Sequence, residues 1–221
     1  GLFGYVGTGA ELANIKLFNV NITGRYEVGG LVGQIDNATI RNCQTSGVVN
    51  ATVYSDMEGW SGGYVGGLVG QSDYSSISKS SSTATVSSSS GTSGGLVGYM
   101  YAGTISNSYA RGNVTGTNNS GGLAGFDNGS TRYSYSTGTV ACSQEYCKGF
   151  IGKDWGSYSN DAPNFWDRET SGKTNANGVG RISKTTAEMK AESTFTDAGW
   201  DFDNIWAIDP AINDGYPYYA G

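Results

Sequence analysis

The chain has 221 residues and a net charge of −6, and its 13 basic residues are scattered without forming a basic run. This distribution argues against nucleic acid or an anionic membrane surface as a partner. Charged residues make up only 14% of the chain, which argues against disorder, and no apolar run approaches the roughly 18 residues that a membrane-spanning helix needs.

The chain is organised around a glycine phrase, Gly-Gly-Leu-Val-Gly, that recurs at nearly constant spacing. Copies begin at Gly29, Gly66, Gly94 and Gly121, the last with alanine in place of valine, and an eroded copy occupies residues 148–152. The starts are 37, 28, 27 and 27 residues apart, which is typical of a stacked repeat architecture. Because the chain opens on what resembles the tail of another copy, we expect it to be a fragment or processed product.

Alignment on the glycine phrase gives further columns of like residues. An apolar column contains Ile40, Ile77 and Ile105, a small-residue column contains Cys43, Ser80, Ser108 and Ser134, and a valine column contains Val49, Val86, Val114 and Val140. Stacked coils about 4.8 Å apart would place these residues over one another and close a shared core. The columns therefore predict an all-β fold for residues 1–152, a right-handed parallel β-helix (β-solenoid) of about five coils.

The longest spacing between copies has a local cause, an insertion at residues 54–64. Insertions in solenoids become loops on one face, often the binding face. We expect Trp60 and Tyr64 either to contact a sugar or protein partner or to fold back over the coil beneath.

The phrase at 94–98 followed by the segment 104–116 resembles the GLUG repeat of bacterial and archaeal surface proteins. That family occurs in large adhesins, in secreted proteins of the immunoglobulin A protease type and in archaeal envelope proteins. The resemblance covers about two thirds of the chain, and it implies an extracellular, cell-surface location.

Residues 153–221 differ in composition from the repeats and are predicted to form a capping module. Large aromatic side chains concentrate here: Trp155, Phe165, Trp166, Trp200, Phe202 and Trp206. Thr185 and Glu188 form a capping-box pattern, which predicts one short helix at about 185–193. Because a solenoid must cover its open end, we expect these aromatics to plug it; a carbohydrate-stacking platform is the alternative. Several of these segments also resemble the module that closes GLUG arrays.

The absence of histidine removes Ser-His-Asp and Cys-His catalysis and the commonest transition-metal ligand. Asp36 and Asp73 occupy the same column of the repeat, and Asp127 lies near it. Stacked carboxylates could bind calcium or cleave a glycoside. The alternative is that these aspartates only form turns at the corners of the coils. Convergence of Asp36, Asp73 and Lys79 in one cleft would favour an enzyme. The later group Asp197, Asp201, Asp203 and Asp209 lacks EF-hand spacing. No catalytic, cofactor or metal residue is therefore predicted, and only a surface calcium ion is left open.

The cysteines and sequons suit an exported protein. Cys43 lies in the small-residue column and is predicted to be a buried thiol, whereas Cys142 and Cys147 are predicted to form a local disulfide, with an intermolecular crosslink as the alternative. Six Asn-X-Ser/Thr sequons are compatible with N-glycosylation, at Asn21, Asn37, Asn50, Asn113, Asn118 and Asn128.

Together these features predict a non-enzymatic extracellular module, the rigid repeat rod of an adhesin-type surface protein. Self-assembly into a filament or sheath is one version of this hypothesis. The expected partners are other subunits of the same protein, or surface glycans or proteins of a host or neighbour. A β-helix carbohydrate-active enzyme and a glycan-binding module are the alternatives.

Overall fold

The computed structural model of the chain describes residues 1–52, 63–142, 146–155, 162–174 and 180–221. The described residues wind into a parallel β-solenoid of about five turns with a few short helices, so the predicted fold class is confirmed. None of the described helices is long and apolar enough to span a membrane.

Three parallel sheets run along the solenoid, and each coil contributes to all three in turn. Within the described residues, sheet 1 contains Phe3–Val6, Glu11–Ala13, Val32–Asp36, Thr39–Arg41, Val69–Ser78, Val97–Ser106, Ala124–Arg132 and Ile151–Asp154. Sheet 2 contains Lys16–Gly24, Gln44–Ala51, Ser81–Ser82, Thr85–Ser88, Tyr109–Ala110, Val114–Gly116, Tyr135–Ser136, Val140–Cys142, Asn164–Asp167 and Arg181–Lys184. Sheet 3 contains Glu27–Gly29, Gly63–Gly66, Gly91–Gly94, Ser120–Gly121 and Cys147–Lys148.

The register of the sheets is the register of the repeat. Ile40 is the Cα partner of Ile77, and Ile77 is the partner of Ile105. All three side chains are fully buried, as are the leucines of the glycine phrases, which lie in the same interior cluster. Like residues therefore stack coil upon coil, because the repeat period equals one turn of the solenoid.

The small-residue column forms a buried hydrogen-bond ladder. The backbone N–H of Cys43 donates to Ser80 Oγ at 3.1 Å, that of Ser80 to Ser108 Oγ at 3.2 Å, and that of Ser108 to Ser134 Oγ at 3.1 Å. Ser134 N–H donates to Asn164 Oδ1 at 3.0 Å, which ends the ladder. Each serine hydroxyl also donates to the carbonyl two residues earlier, so one hydroxyl accepts from a buried N–H of the neighbouring coil and donates to a carbonyl of its own coil.

The residues that follow the solenoid include short helices at Arg168–Ser171, Thr186–Met189 and Glu192–Thr196, a 3-10 turn at Asn213–Gly215, and a two-stranded ribbon of Trp206–Ala207 and Tyr218–Tyr219. The Thr185–Glu188 capping box is present and begins the helix at Thr186, as predicted. That helix ends at Met189, however, and residues 190–191 separate it from the next one. The helix at Arg168–Ser171, which Asp167 caps, was not predicted.

The aromatic residues of this segment are placed differently from an end plug. Among the described residues of this segment, Trp166 is the one aromatic in the interior cluster of the solenoid, and its ring lies against Gly149. Most of the others, Phe165, Trp200, Phe202 and Trp206, pack with Tyr109 and Tyr135 of sheet 2, on the face opposite the interior residue Ala110. Trp155 is 67% exposed and meets Phe126 edge-on. Tyr219 OH donates to Ser80 O at 2.9 Å, so the chain end runs back along the flank of the solenoid. The flank already carries the stacked rings of Tyr109 and Tyr135, which offer the terminal aromatic residues an apolar surface on which to pack.

Candidate functional site

Sheets 1 and 3 meet in a concave corner whose floor is made of glycine. The last glycine of each phrase lies against the sheet 3 strand of the coil before it. A Cβ on Gly70 would lie 2.6 Å from Val28 N, one on Gly98 would lie 2.5 Å from Val65 N, and one on Gly152 would lie 2.6 Å from Ser120 N. No other residue permits such an approach, so the phrase creates a groove that runs along the solenoid axis, here called the axial groove.

Two columns of side chains form the walls of the axial groove. On sheet 1 the wall consists of the residue directly after each phrase, in the register Gln34, Gln71, Tyr99, Phe126 and Lys153. On sheet 3 it consists of the residue two before each phrase, which includes Glu27, Tyr64, Thr92 and Tyr146. The stacking of Tyr64 on Tyr99 joins the two walls across the floor.

An aromatic strip follows the groove from coil to coil. The ring centroids of Tyr64 and Tyr99 are 4.4 Å apart with an interplanar angle of 26°, and those of Tyr99 and Phe126 are 4.5 Å apart at 9°. Phe126 then meets Trp155 edge-on at 5.4 Å. Most ring faces are thus covered by a neighbouring ring, and the first ring, Tyr64, ends the strip beside Glu27.

At this end the groove widens into a cavity of about 440 Å³, here called the tyrosine pocket. It is lined by Tyr26, Glu27, Tyr64, Gln71, Asp73, Tyr99 and Tyr101. Asp73 Oδ2 accepts hydrogen bonds from Gln71 Nε2 at 2.7 Å and from Gln34 Nε2 at 3.0 Å. These amides fix the position of the carboxylate without neutralising its charge.

The electrostatic environment of the tyrosine pocket is negative. Burial raises the pKa of Tyr64, and the carboxylates of Glu27 and Asp73 raise it further. Burial likewise raises the pKa of Tyr99, with contributions from Tyr64 and Asp73. Both hydroxyls therefore stay protonated, and the pocket presents neutral aromatic rings beside two carboxylates.

Of the predicted contact residues, Tyr64 lies in this pocket, whereas Trp60 lies outside the described residues. Asp36 and Asp73 are Cα partners, as their shared column predicted, and Tyr101 follows them. Lys79 lies in a different groove of about 420 Å³, which Lys16 and Arg41 also line. The convergence of Asp36, Asp73 and Lys79 that would favour an enzyme is therefore not found.

Asp127 lies one position away from this column and is fully buried. It is paired with Arg181, and its Cα partner in the next coil is Asp154. In the part of the chain that the structure describes, no group of three or more His, Cys, Asp or Glu side chains is arranged to hold a metal ion. Asp201, from the later acidic group, accepts hydrogen bonds from the backbone and side chain of Asn204.

The structure also locates the cysteines and sequons. Cys142 and Cys147 are joined in a disulfide, and Cys43 is a buried free thiol whose pKa is raised by burial. Among the sequon asparagines, Asn21, Asn37 and Asn113 are exposed, whereas Asn50, Asn118 and Asn128 are half-buried. Glycosylation of any of them stays a prediction.

Sequence reasoning missed Glu27, Gln71, Tyr99 and Phe126 as groove residues. The sequence contains part of the information, because the side chains of the sheet 1 wall are those directly after each glycine phrase. What the sequence does not reveal is that the third glycine brings sheet 3 beside this column.

Comparison with known proteins identifies the repeats. Residues 24–50, 61–87 and 89–115 match the family described as the GLUG motif. A protein of Evansella cellulosilytica, provisionally named a Gly-rich membrane protein, is 37% identical over 137 residues, which covers 61% of this chain and 12% of that protein. Halomucin of Haloquadratum walsbyi is 40% identical over 102 residues, covering 42% of this chain and 1% of that protein.

Two further similar proteins carry the name of a protease. An immunoglobulin A1 protease of Streptococcus sanguinis is 28% identical over 219 residues, covering 92% of this chain and 11% of that protein. The crystal structure of a Bacteroides ovatus protein, provisionally named an immunoglobulin A1 protease, superposes with a TM-score of 0.55 at 18% identity, covering 98% of this chain and 61% of that one. The chain thus spans about an eighth or less of the three sequence relatives, and the structural likeness shows the fold alone. Residues 24–50, 61–87 and 89–115 are GLUG repeats, and the protein that carries them is a GLUG-repeat β-solenoid.

Proposed function

We propose that this chain is a non-enzymatic adhesive module of an extracellular, cell-surface protein. In this proposal the solenoid is a rigid rod that projects a contact surface, and the axial groove is that surface. Association of the module with further copies of itself, in a filament or sheath, extends the same proposal.

The observation that carries the proposal is the continuous parallel pairing of sheet 1 from Phe3–Val6 to Ile151–Asp154, with a register shift between Tyr101 and Thr104. Each coil is hydrogen-bonded to the next along its length, and the interior is filled with fully buried aliphatic side chains. Such a stack resists bending and keeps surface residues in fixed columns, which suits a spacer that must present a contact site at a distance.

The protease names of two similar proteins do not change this assignment. The Streptococcus sanguinis protein aligns with this chain over only 11% of its own length, so its named activity belongs to the whole protein. The present chain contains no histidine, and its free thiol at Cys43 is buried among the coils. A nucleophile needs access to substrate and an adjacent base, and Cys43 has neither a histidine base nor an open cleft. We therefore assign the shared segment a binding rather than a cleaving role.

Attachment is tested with beads coated with residues 1–221 and applied to intact bacterial and epithelial cells. We expect saturable attachment that soluble chain competes away, with albumin-coated beads as the control. Attachment no greater than that of albumin would contradict the contact role.

Two further measurements address catalysis and assembly. The purified chain is incubated with immunoglobulin A1 and with polysaccharides, and we expect no new chain ends; cleavage that is lost in Asp73→Asn would contradict the non-enzymatic role. Light scattering over a wide concentration range should show masses above that of the 23.1 kDa chain, and a constant monomer mass would contradict self-assembly.

A further inference from the structure

The axial groove holds one of the chain's own ammonium groups at its C-terminal end. Lys153 Nζ lies 5.0 Å from the ring centroid of Tyr146 and 5.1 Å from that of Trp155. Both distances are within the range of a cation–π interaction, in which the ring quadrupole attracts a positive charge. The groove is therefore built, at this position, as an ammonium site that a lysine of the same chain fills.

The same two repeat positions recur at the other end without the lysine. Tyr64 stands two residues before its glycine phrase, as Tyr146 does, and Gln71 stands directly after the phrase, where Lys153 stands in the last coil. The aromatic ring is thus kept, but an amide replaces the ammonium group. The space that results is the tyrosine pocket, and the described residues that line it include no lysine or arginine.

The pocket surrounds this space with groups that attract a cation. Tyr26 and Tyr101 are each 43% exposed, so their rings are accessible from the cavity that they line. The carboxylates of Glu27 and Asp73 add two negative charges, and the neutral amides of Gln34 and Gln71 hold Asp73 in place. An anion would be repelled from this site, whereas a cation would gain Coulomb attraction from both carboxylates.

We propose that the tyrosine pocket binds an organic ammonium group, such as that of a lysine side chain or a trimethylammonium headgroup. The inference rests on the proposed contact function, because it names the ligand chemistry of the axial groove. Aromatic rings bind the alkyl part and the charge of such a group together, and the carboxylates balance its charge.

The proposal is tested by titrating the ¹⁵N-labelled chain and following the amide signals of the pocket by NMR. The probes are choline chloride and Nα-acetyl-lysine methyl ester, which separate the two sources of the ammonium group. The neutral carbon isostere of choline, 3,3-dimethylbutan-1-ol, and methyl β-glucopyranoside are the controls. We expect saturable shifts at Tyr64, Gln71 and Tyr99 with at least one ammonium probe and with neither neutral compound.

Variants place the binding at this pocket. Gln71→Lys supplies an internal ammonium group, as Lys153 does in the last coil, and should abolish binding. Glu27→Gln removes one exposed charge and should weaken binding by about threefold or more. Asp203→Asn removes an exposed carboxylate outside the axial groove and should leave binding unchanged. A thermal melt of each variant shows whether it is folded, and Glu27→Gln keeps the test decisive if Gln71→Lys does not fold.

Three results would overturn the inference. Equal binding of choline and its carbon isostere would mean that the pocket selects apolar bulk rather than charge. Binding of the glucoside without the ammonium probes would assign the pocket to a neutral sugar. If folded Gln71→Lys and Glu27→Gln both bind the ammonium probe with the affinity of the wild type, the probe binds outside the tyrosine pocket. Bead attachment is measured separately, so a wrong ligand class and a wrong contact function give different results.

Discussion

Arg181 forms an ion pair with Asp127, and neither side chain has any exposed surface. The Arg181 Nη2 atom lies 3.5 Å from Asp127 Oδ2, and its Nη1 atom lies 2.7 Å from Asp154 Oδ2. Asp127 belongs to the solenoid, whereas Arg181 belongs to a strand of the segment that follows it. The pair therefore joins the terminal segment to the last coils from the inside.

The buried carboxyl of Asp127 predicts a dependence of stability on pH. Burial raises its pKa from 3.8 to about 6, although Arg181, the Gly129 amide and the Thr131 hydroxyl act in the opposite direction. The folded chain therefore binds a proton at this site at higher pH than the unfolded chain does. The contribution of Asp127 to folding stability should fall as the pH rises from about 4 to about 6 and stay constant above that.

This prediction is checked with Asp127→Asn, measured by urea unfolding between pH 4 and pH 7. The free energy of unfolding of the wild type, minus that of the variant, should fall by on the order of 2 kcal/mol across this range. Asp203→Asn removes an exposed carboxylate and serves as the control. A difference that stays level with pH, or that rises, would contradict the assignment of the raised pKa to Asp127.

The serine ladder predicts a large cost for removing one hydroxyl. Ser108→Ala leaves the buried N–H of Ser80 without its acceptor, and the Ser106 carbonyl keeps only the Lys79 N–H of its two donors. An unsatisfied buried polar group costs about 1–3 kcal/mol, so the variant should unfold at clearly lower urea concentration. Ser106→Ala removes a half-buried hydroxyl two residues earlier in the chain and should cost much less. Equal effects of the two variants would mean that the ladder adds nothing beyond general packing.

The stacking of like residues could be predicted because the repeat itself carries it. Once Ile40, Ile77 and Ile105 recur at the period of one coil, their burial and register follow from closing a shared core. The direction in which the terminal aromatics pack could not be predicted. Their composition demands burial, but only the three-dimensional position of Tyr109 and Tyr135 offers the flank of the solenoid as the surface that covers them.

The candidate site was predicted less completely than the fold. The sequence predicts Tyr64 either as a contact residue or as a cover for the coil beneath, but its partners Tyr99 and Glu27 come from neighbouring coils. Their proximity depends on how closely sheets 1 and 3 approach each other over the glycines. The sequence pattern does not give that distance. The pairing of Arg181 with Asp127 is similar, since two residues 54 positions apart meet through the folding of the terminal segment.

The glycine floor predicts that one added methyl group is intolerable there. In Gly98→Ala the new Cβ would lie 2.5 Å from both Gly70 O and Val65 N, which are backbone atoms that cannot rotate away. Overpacking of this kind costs about 1–3 kcal/mol or more, and it should force sheets 1 and 3 apart. Gly4→Ala, whose Cβ would meet nothing within 4 Å, is the matched control. Thermal unfolding should separate the two variants, and comparable stability would show that the sheets can move apart freely.

A final prediction concerns a column of left-handed backbone that precedes the serine ladder. Asn14, Asn42 and Asn107 have φ values of 60°, 51° and 47°, and Lys79 occupies the same column with φ 45°. Asparagine tolerates this region better than lysine, for which it costs about 1–2 kcal/mol. Asn42 Nδ2 also donates to Asn14 Oδ1 at 2.7 Å, so an asparagine in the next coil has a side-chain partner within the column.

Lys79→Asn should therefore stabilise the chain by about 0.5–1 kcal/mol, measured as an increased free energy of unfolding in urea. Lys79 lines a groove with Lys16 and Arg41, so loss of its charge could also stabilise the fold by relieving repulsion. Lys79→Gln separates the two causes, because it removes the charge and keeps the unfavourable backbone preference. If backbone strain is the cause, only Lys79→Asn gains stability. An equal gain in both variants would assign the effect to charge. The left-handed backbone at residue 79 would then cost the fold no measurable free energy.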